Sequence, residues 1–240
     1  MDRAVFNRMQ AIDATHWWFA GRRAIVGALL ARFAPKGTKR LLEIGCGTGS
    51  NLAMLTAMGR VDAIEPDDAA RAIASARSGI AVRGGLLPDG VAIEDRAYDV
   101  IVLLDVLEHI REDEATLVIL RRKLAPGGRL VLTVPSSPWM WSAHDVEHHH
   151  YRRYTASMLR EALETAGFRV VHASHFNTIL YPLIAAARIV GRLTGKRGGD
   201  DALPPAGLNR LLGSVFAFER HWVARVGAPF GVSLAMVGEV

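Results

Sequence analysis

Cysteine is nearly missing from this chain: Cys46 is the only one in 240 residues. That excludes an internal disulfide framework and any zinc site built from several thiolates. It agrees with a reducing compartment. Lysine is scarce as well, with 4 residues against 25 arginines, a bias that a GC-rich genome also produces. Long apolar runs are absent. The longest uncharged stretch, Val170 to Ala187, is interrupted by His172, Ser174, His175, Asn177, Thr178 and Pro182. A membrane-spanning helix wants about 20 mainly apolar residues, so none is expected. Met1, Asp2 and Arg3 lead into no apolar stretch, so no secretory leader is expected either and the expected location is cytoplasmic. There is no internal repeat and no low-complexity tract.

What is present is ordinary globular material. Half the residues are hydrophobic and 22% are charged, which excludes global disorder and provides for a sizeable core. The length suits one α/β domain. The net charge of +5 is unevenly placed: residues 1–150 carry 18 basic and 18 acidic side chains, residues 151–240 carry 11 and 6. A basic last third suits an anionic substrate, nucleic acid, a lipid headgroup surface, or simple solvation of a surface.

Apolar periodicity gives the order of elements. A helix around Ile25, Val26, Leu29, Leu30 and Phe33 ends at Pro35 and Gly37. Short strands then alternate with helices: Arg40–Ile44, Val61–Glu65, Ile80–Arg83, Tyr98–Leu104, Arg129–Val134, Phe168–Ala173 and Val232–Val237 read as strands. The expectation is an α/β fold: a doubly wound, Rossmann-like, mostly parallel sheet of seven strands. A helical insertion separates strands six and seven. Within a single domain the boundaries are 1–36, an N-terminal helical lid; 37–177, the core; 178–231, the insertion; and 232–240, the last strand. A Gly- and Pro-rich linker runs from Gly195 to Gly207.

The first strand runs into Glu43-Ile44-Gly45-Cys46-Gly47-Thr48-Gly49. Glycines at such a turn let backbone approach a flat ligand. Glu65 follows about 20 residues on, at the end of the second strand, where a carboxylate can accept both ribose hydroxyls. Position 50 is Ser, so the third glycine of the dinucleotide fingerprint is missing. The string E-x-G-x-G-x-G resembles motif I of class I S-adenosylmethionine-dependent methyltransferases. Asp105-Val106-Leu107-Glu108-His109 after the fourth strand is similar to a segment of that family, as is Leu124-Ala125-Pro126-Gly127-Gly128 before the fifth. His16-Trp17-Trp18-Phe19, with Arg22, and Asp145 with His148-His149-His150-Tyr151-Arg152-Arg153-Tyr154 resemble a narrower bacterial subgroup, similar to ubiquinone-biosynthesis O-methyltransferases.

The resemblance implies S-adenosylmethionine as cofactor, held by Trp17, Arg22, Glu43, Gly45, Gly47, Gly49, Glu65, Pro66, Gly85, Leu86, Leu104 and Asp105. Gly84-Gly85-Leu86-Leu87 stands where many relatives have an Asp for the adenine amino group. Backbone and apolar contact are expected there instead. Trp17 and its neighbours read as core or as an aromatic lid near a sulfonium, and Arg22 as a partner for the methionyl carboxylate. His149 or His150 is the expected base for transfer to a hydroxyl, oriented by Asp145. Arg152 and Arg153 read equally as holders of an anionic group or as partners of acids.

Two further readings stay open. Asp105, Glu108 and His109 with a later His resemble the Mg²⁺-holding E-x-x-E-H segment of some RNA 2′-O-methyltransferases and ubiquinone-pathway enzymes. No metal is the base expectation. In the insertion, Ile179, Leu183, Ala186, Ala187 and Val190 form one helical stripe beside Arg188, Arg192, Lys196 and Arg197. Such a helix packs on its own domain, pairs with a second copy, or lies on the inner face of a membrane. The favoured acceptor is a hydroxyl on a small or lipid-linked molecule. The alternatives are a small amine, an RNA 2′-hydroxyl, or a cofactor-binding partner subunit without chemistry. Nucleic acid is disfavoured, because no basic stripe is interleaved with aromatics. A monomer or a homodimer is expected.

Overall fold

A computed structural model describes residues 10–194 and 202–240. The predicted contacts of Lys196 and Arg197, and the first half of the linker, lie outside these residues.

Helix α1 (Trp17–Phe33) is capped by His16, whose ring nitrogen accepts from the Trp18 N–H at 3.3 Å. Its stripe of Ile25, Val26, Leu29 and Leu30 is fully buried. Pro35, which cannot continue the helix, follows. Strand β1 (Arg40–Ile44) then enters the sheet. A short helix α2 (Leu52–Thr56) leads to β2 (Arg60–Ile64). Helix α3 (Asp68–Ser78) starts on the Asp67 carboxylate, which accepts the Ala70 N–H at 2.8 Å. It stops at Gly79 with φ 71°, a left-handed turn that suits glycine. Strand β3 (Tyr98–Leu104), helix α4 (Asp113–Lys123) and strand β4 (Leu124–Pro135) complete the parallel part. A loop with helix α5 (Ala143–Glu147) then precedes α6 (Ala156–Thr165), capped by Thr155. Strand β5 (Arg169–Phe176) follows, then α7 (Tyr181–Thr194), α8 (Ala206–Phe218), α9 (Arg220–Val223) and β6 (Ser233–Glu239).

The sheet has six strands among the described residues, in the order β2-β1-β3-β4-β6-β5. This corrects the expected seven. The segment Ile80–Arg83 forms a single bridge, Arg83 opposite Ile64. Only the Arg83 N–H and carbonyl reach the neighbouring chain, to Ala63 O and from Glu65 N, each at 2.9 Å. The glycines at 84 and 85 turn the backbone away before a ladder can grow. The sheet is also more mixed than expected: β6 runs antiparallel to both its neighbours, β4 and β5.

Two cores lie on the two faces. One collects Ile25, Leu29, Leu52, Val102 and Phe216, bringing α1, α2 and α8 onto one side. The other collects Leu117, Leu120, Leu159, Leu163 and Leu132, bringing α4 and α6 onto the opposite side. Burying a Leu or Ile fully contributes about 1.5–3 kcal/mol, so these clusters carry the fold. Helix α8 approaches α1 so closely that a Cβ on Gly21 would lie 2.1 Å from the Phe216 ring. Helix α7 differs: none of its residues is buried. Ile179, Leu183, Val190 and Leu193, the predicted stripe extended by one turn, are exposed. No described helix is long and apolar enough to cross a membrane.

Candidate functional site

Ligands of open α/β sheets bind at the carboxyl ends of the strands, where the chain order reverses. Here that point lies between β1 and β3, which leave in opposite directions from the centre. The loop after β1 is pinned by its own neighbours. Gly45 N and Cys46 N donate to Ile64 O at 2.8 and 3.1 Å. Gly47 N donates to Glu65 Oε2 at 2.8 Å, and Asp67 N to Glu65 Oε1 at 3.0 Å. Gly45, Gly47 and Gly49 all have positive φ. They serve different ends: a Cβ at Gly45 would meet Val106 at 2.6 Å, whereas at Gly47 it would meet nothing within 4 Å. Gly47 is therefore the open position, facing the space a ligand can take.

Beneath the loop, Glu43 is buried and accepts from Asn51 Nδ2 at 2.8 Å. Burial pushes its carboxyl up to about 7 against the downward pull of Asn51 and Arg22. Asp105 leaves β3 with φ 56°, a left-handed conformation that Asp tolerates better than most residues. The Asp105 carboxylate pairs with Arg22, which also donates to Leu104 O at 3.3 Å. Arg22 Nε is buried and has no hydrogen-bond partner. Glu43, the three glycines, Glu65, Leu104, Asp105 and Arg22 thus meet at adjoining strand ends. Trp17 stands at the same wall through the start of α1. Pro66 and Leu86 are on the surface, Leu86 at 67% exposure. The Gly85 backbone has no room for a side chain, because a Cβ would lie 2.6 Å from Gly90 O.

Next to Arg22 and Asp105 a cavity of about 340 Å³ opens. Its walls include the aromatic start of α1, Ile184 and Ala187 of α7, and five imidazoles: His16, His109 and, from one loop, His144, His148 and His150. The loop that brings three of them is fixed by a bridge of Ser136 to Tyr154. Within it Asp145 is wholly buried and does three jobs. It accepts the Ser142 N–H at 2.8 Å to cap α5, His150 Nδ1 at 2.9 Å, and Arg153 Nε at 2.7 Å. Burial alone would push the Asp145 carboxyl up, but the bonds from His150 and Arg153 bring it well below the usual carboxylate range. Burial lowers His150 against the upward pull of Asp145. His109 is pushed down to about 3 by burial and then by its neighbours His150 and His148. Both rings are therefore neutral at pH 7. Glu108 is buried, with Oε2 unpartnered; burial and the nearby Asp105 raise its carboxyl well above the normal range. One ligand atom each from Glu108, His109 and His150 lies within 4.8 Å of the others, a group able to hold a metal ion.

Of the predicted base pair, His150 lines this cavity and His149 does not. His149 is exposed, at φ 57°. Arg153 is the buried partner of Asp145, while Arg152 pairs with Asp113 at 2.7 Å. Sequence reasoning missed Asn51 and Asp13. Asn51 sits two residues past a glycine motif and carries no signal beyond that place. Asp13 lies in a segment with no periodicity.

A family model described as "Methyltransferase domain" matches residues 18–173. The chain belongs to this family. A probable S-adenosylmethionine-dependent methyltransferase of Mycolicibacterium smegmatis is 30% identical over 159 residues, which is 65% of this chain and 60% of that protein. An uncharacterised methyltransferase of Staphylococcus carnosus is 34% identical over 107 residues, 43% of this chain and 51% of its own length. The chain thus spans about half to three-fifths of these relatives. Among solved structures, a Haloferax volcanii protein in complex with the Trm112 methyltransferase activator superposes with TM-score 0.64 at 18% identity, covering 98% of this chain and 94% of that one. A SAM-dependent methyltransferase from Archaeoglobus fulgidus gives TM-score 0.58 at 18% identity over the full length of both chains. At such identities the superpositions establish the fold. The Mycolicibacterium smegmatis relative is named as dependent on S-adenosylmethionine. The open face of Gly47, the Glu65 carboxylate beside it and the unpartnered Nε of Arg22 fit that molecule's ribose and carboxylate.

Proposed function

We propose that this domain transfers a methyl group to a hydroxyl on a small or lipid-linked acceptor, with His150 as the base. The carrying observation is the buried Asp145–His150 pair at 2.9 Å, on the wall of a cavity that also meets Arg22 and Asp105. S-adenosylmethionine, when bound, supplies an electrophilic methyl carried on a sulfonium. Gly47, Glu65 and Arg22 would hold it, and the aromatic start of α1 would exclude water. Asp145 keeps the proton of His150 on Nδ1, so Nε2 is the atom that takes the acceptor's proton. With its proton on His150, the acceptor oxygen would be placed to take the methyl as the sulfonium C–S bond broke and S-adenosylhomocysteine left, and positioning would supply much of the rate. Membership of the narrower subgroup and kinship to ubiquinone-pathway enzymes belong to this proposal. So does a lipid-linked acceptor, supported by the exposed stripe of α7 at the cavity's edge.

His150→Ala lowers kcat by about 10²–10⁴-fold while S-adenosylhomocysteine affinity stays the same. Labelled S-adenosylmethionine incubated with lipid, small-molecule and RNA fractions of a cell extract identifies the acceptor. Label in the lipid or small-molecule fraction, lost in His150→Ala, supports the reading. Full turnover by His150→Ala overturns it and favours an amine acceptor, which needs no strong base. Methyltransferases of amines occur among proteins of this fold, as in a phosphoethanolamine N-methyltransferase of Haemonchus contortus with TM-score 0.59.

The Glu108–His109–His150 group favours a second reading, in which a divalent ion lowers the acceptor's pKa and an RNA 2′-hydroxyl is the acceptor. Label in RNA that disappears with chelator and returns with Mg²⁺ or Mn²⁺ selects it.

A further inference from the structure

The strap of residues 12–19, a turn at 13–15 that runs into the start of α1, contributes to the cavity wall, and side chains from three other places hold it. Arg23 donates to Asp13 O at 3.1 Å and to Ala14 O at 3.4 Å. Asn209, on α8, donates to Thr15 O at 2.8 Å and accepts the Trp17 N–H at 2.9 Å. The third hold is on the glycine loop. The Asp13 carboxylate is 6% exposed and accepts from the Thr48 hydroxyl. It also accepts from Arg77 Nη1 at 2.9 Å, and the same Nη1 lies 3.1 Å from Thr48 Oγ1. Asp13, Thr48 and Arg77 close a triangle.

Thr48 stands between Gly47 and Gly49, both with positive φ. On one side the loop is tied to Glu65 through Gly47 N; on the other it is tied to the strap through Thr48. The strap ends in His16, Trp17 and Phe19, which line the acceptor cavity, and α1 continues it to Arg22. One hydrogen-bonded chain therefore joins the ribose-side carboxylate, the glycine loop and the aromatic wall. Asp13 is the only strap side chain in that chain among the described residues, and it lies outside the span matched by the family model.

We propose that Asp13 is a positioning residue that latches the strap to the cofactor loop, so that bound cofactor fixes the aromatic wall and leaves only when the latch opens. Arg77 is 41% exposed at its side chain, so water can reach and open the triangle from outside. Binding is then ordered: cofactor first, acceptor into the wall that the cofactor has fixed. The inference rests on the cofactor assignment and not on the proposed acceptor, and its test uses no acceptor.

The probe is labelled S-adenosylhomocysteine on the full chain, with release timed after dilution into unlabelled ligand. Asp13→Asn and Thr48→Val each speed release about ten-fold, the scale of one lost charge-assisted hydrogen bond. The double variant is no faster than the faster single, because both break the same latch. Arg77→Met, on the solvent side, gives a smaller increase and serves where a buried variant folds poorly. In the unmutated protein, the ligand slows amide exchange of residues 12–19. A purely structural role lowers thermal stability and leaves release unchanged. Release at the original rate in the variants, simple additivity in the double variant, or strap exchange indifferent to the ligand each overturns the proposal.

Discussion

Helices α1 and α7 are made of similar material and end in opposite surroundings. Both are rich in Ala, Leu, Ile and Val, and both have arginine as their only charge and no acid. Helix α1 buries Phe19, Gly21, Ile25, Val26, Leu29 and Leu30; α7 buries nothing. The difference lies in what fixes the polar groups. In α1, Arg22 finds Asp105 at a strand end, and the apolar stripe is drawn onto the sheet. In α7, Arg188 lines the cavity, and Arg192 donates to the carbonyls of Trp139 and Trp141. Arg188 faces the cavity and Arg192 reaches back from the surface to the two carbonyls, while the apolar stripe faces out. Composition tells how apolar a helix is; the placement of its few polar partners decides which face meets the core. Arg188 and Arg192, for which a basic headgroup contact is expected, each also have a place on the protein side.

The contrast is sharpest in stability. Leu29→Ala costs about 2–5 kcal/mol in urea unfolding, as a cavity opens under the sheet. Leu193→Ala, at 81% exposure, stays within about 0.5 kcal/mol. Equal losses at the two sites would break the comparison. Gly21→Ala comes next. Helix propensity favours Ala by about 1 kcal/mol, but the clash with Phe216 costs about 1–3 kcal/mol, so a net loss is expected. An unchanged melting midpoint would mean that α1 and α8 can part freely. We propose that the exposed α7 stripe meets a membrane surface, and this has its own readout: the protein co-sediments with liposomes, Leu183→Asp with Leu193→Asp abolishes this, and Arg192→Gln leaves it largely intact. The reverse order would restore the headgroup reading.

A further contrast concerns pH and the floor of the α1 wall. Glu43 is raised to about 7 in the folded chain from an ordinary value near 4.5. The native state therefore binds a proton more tightly, and its stability falls as pH rises from about 4.5 through 7. Glu43→Gln removes this slope. Gln stands in for the protonated carboxyl, so the denaturant midpoints of the two proteins keep a constant offset on the acid side and diverge as pH rises through neutrality, the wild type falling, if Glu43 carries the effect. A slope unchanged in the variant assigns it to another buried acid.

The parallel half of the fold was legible because each strand there contains a short apolar run that ends close to Gly, Pro or Asp. Tyr98–Leu104 was read to the residue. Ile80–Arg83 was not, because a strand needs a partner ladder as well as apolar residues, and the glycines behind it withdraw the chain. The glycine loop and Glu65 were visible through spacing. The Asp145–His150 pair was visible as a group but not as a choice between His149 and His150. That choice depends on one left-handed residue, His149, which swings its own ring outward. The Asp13 latch had no signature, since nothing local marks a residue whose partners lie 35 and 64 positions away.

The place of β6 has a consequence for how the chain is made. It fills the gap between β4 and β5, pairing Met236 with Leu132 on one side and Ala173 on the other. Until residues 233–239 leave the ribosome, β4 has an open edge and β5 has no neighbour at all. The nascent chain therefore holds a four-stranded parallel sheet with a bare flank for as long as the whole insertion takes to synthesise. Exposed strand edges pair with whatever strand arrives first. The late strand makes this a domain whose aggregation hazard lasts until β6 is made, and a chain stopped after α9 is predicted to aggregate through the bare edge of β4.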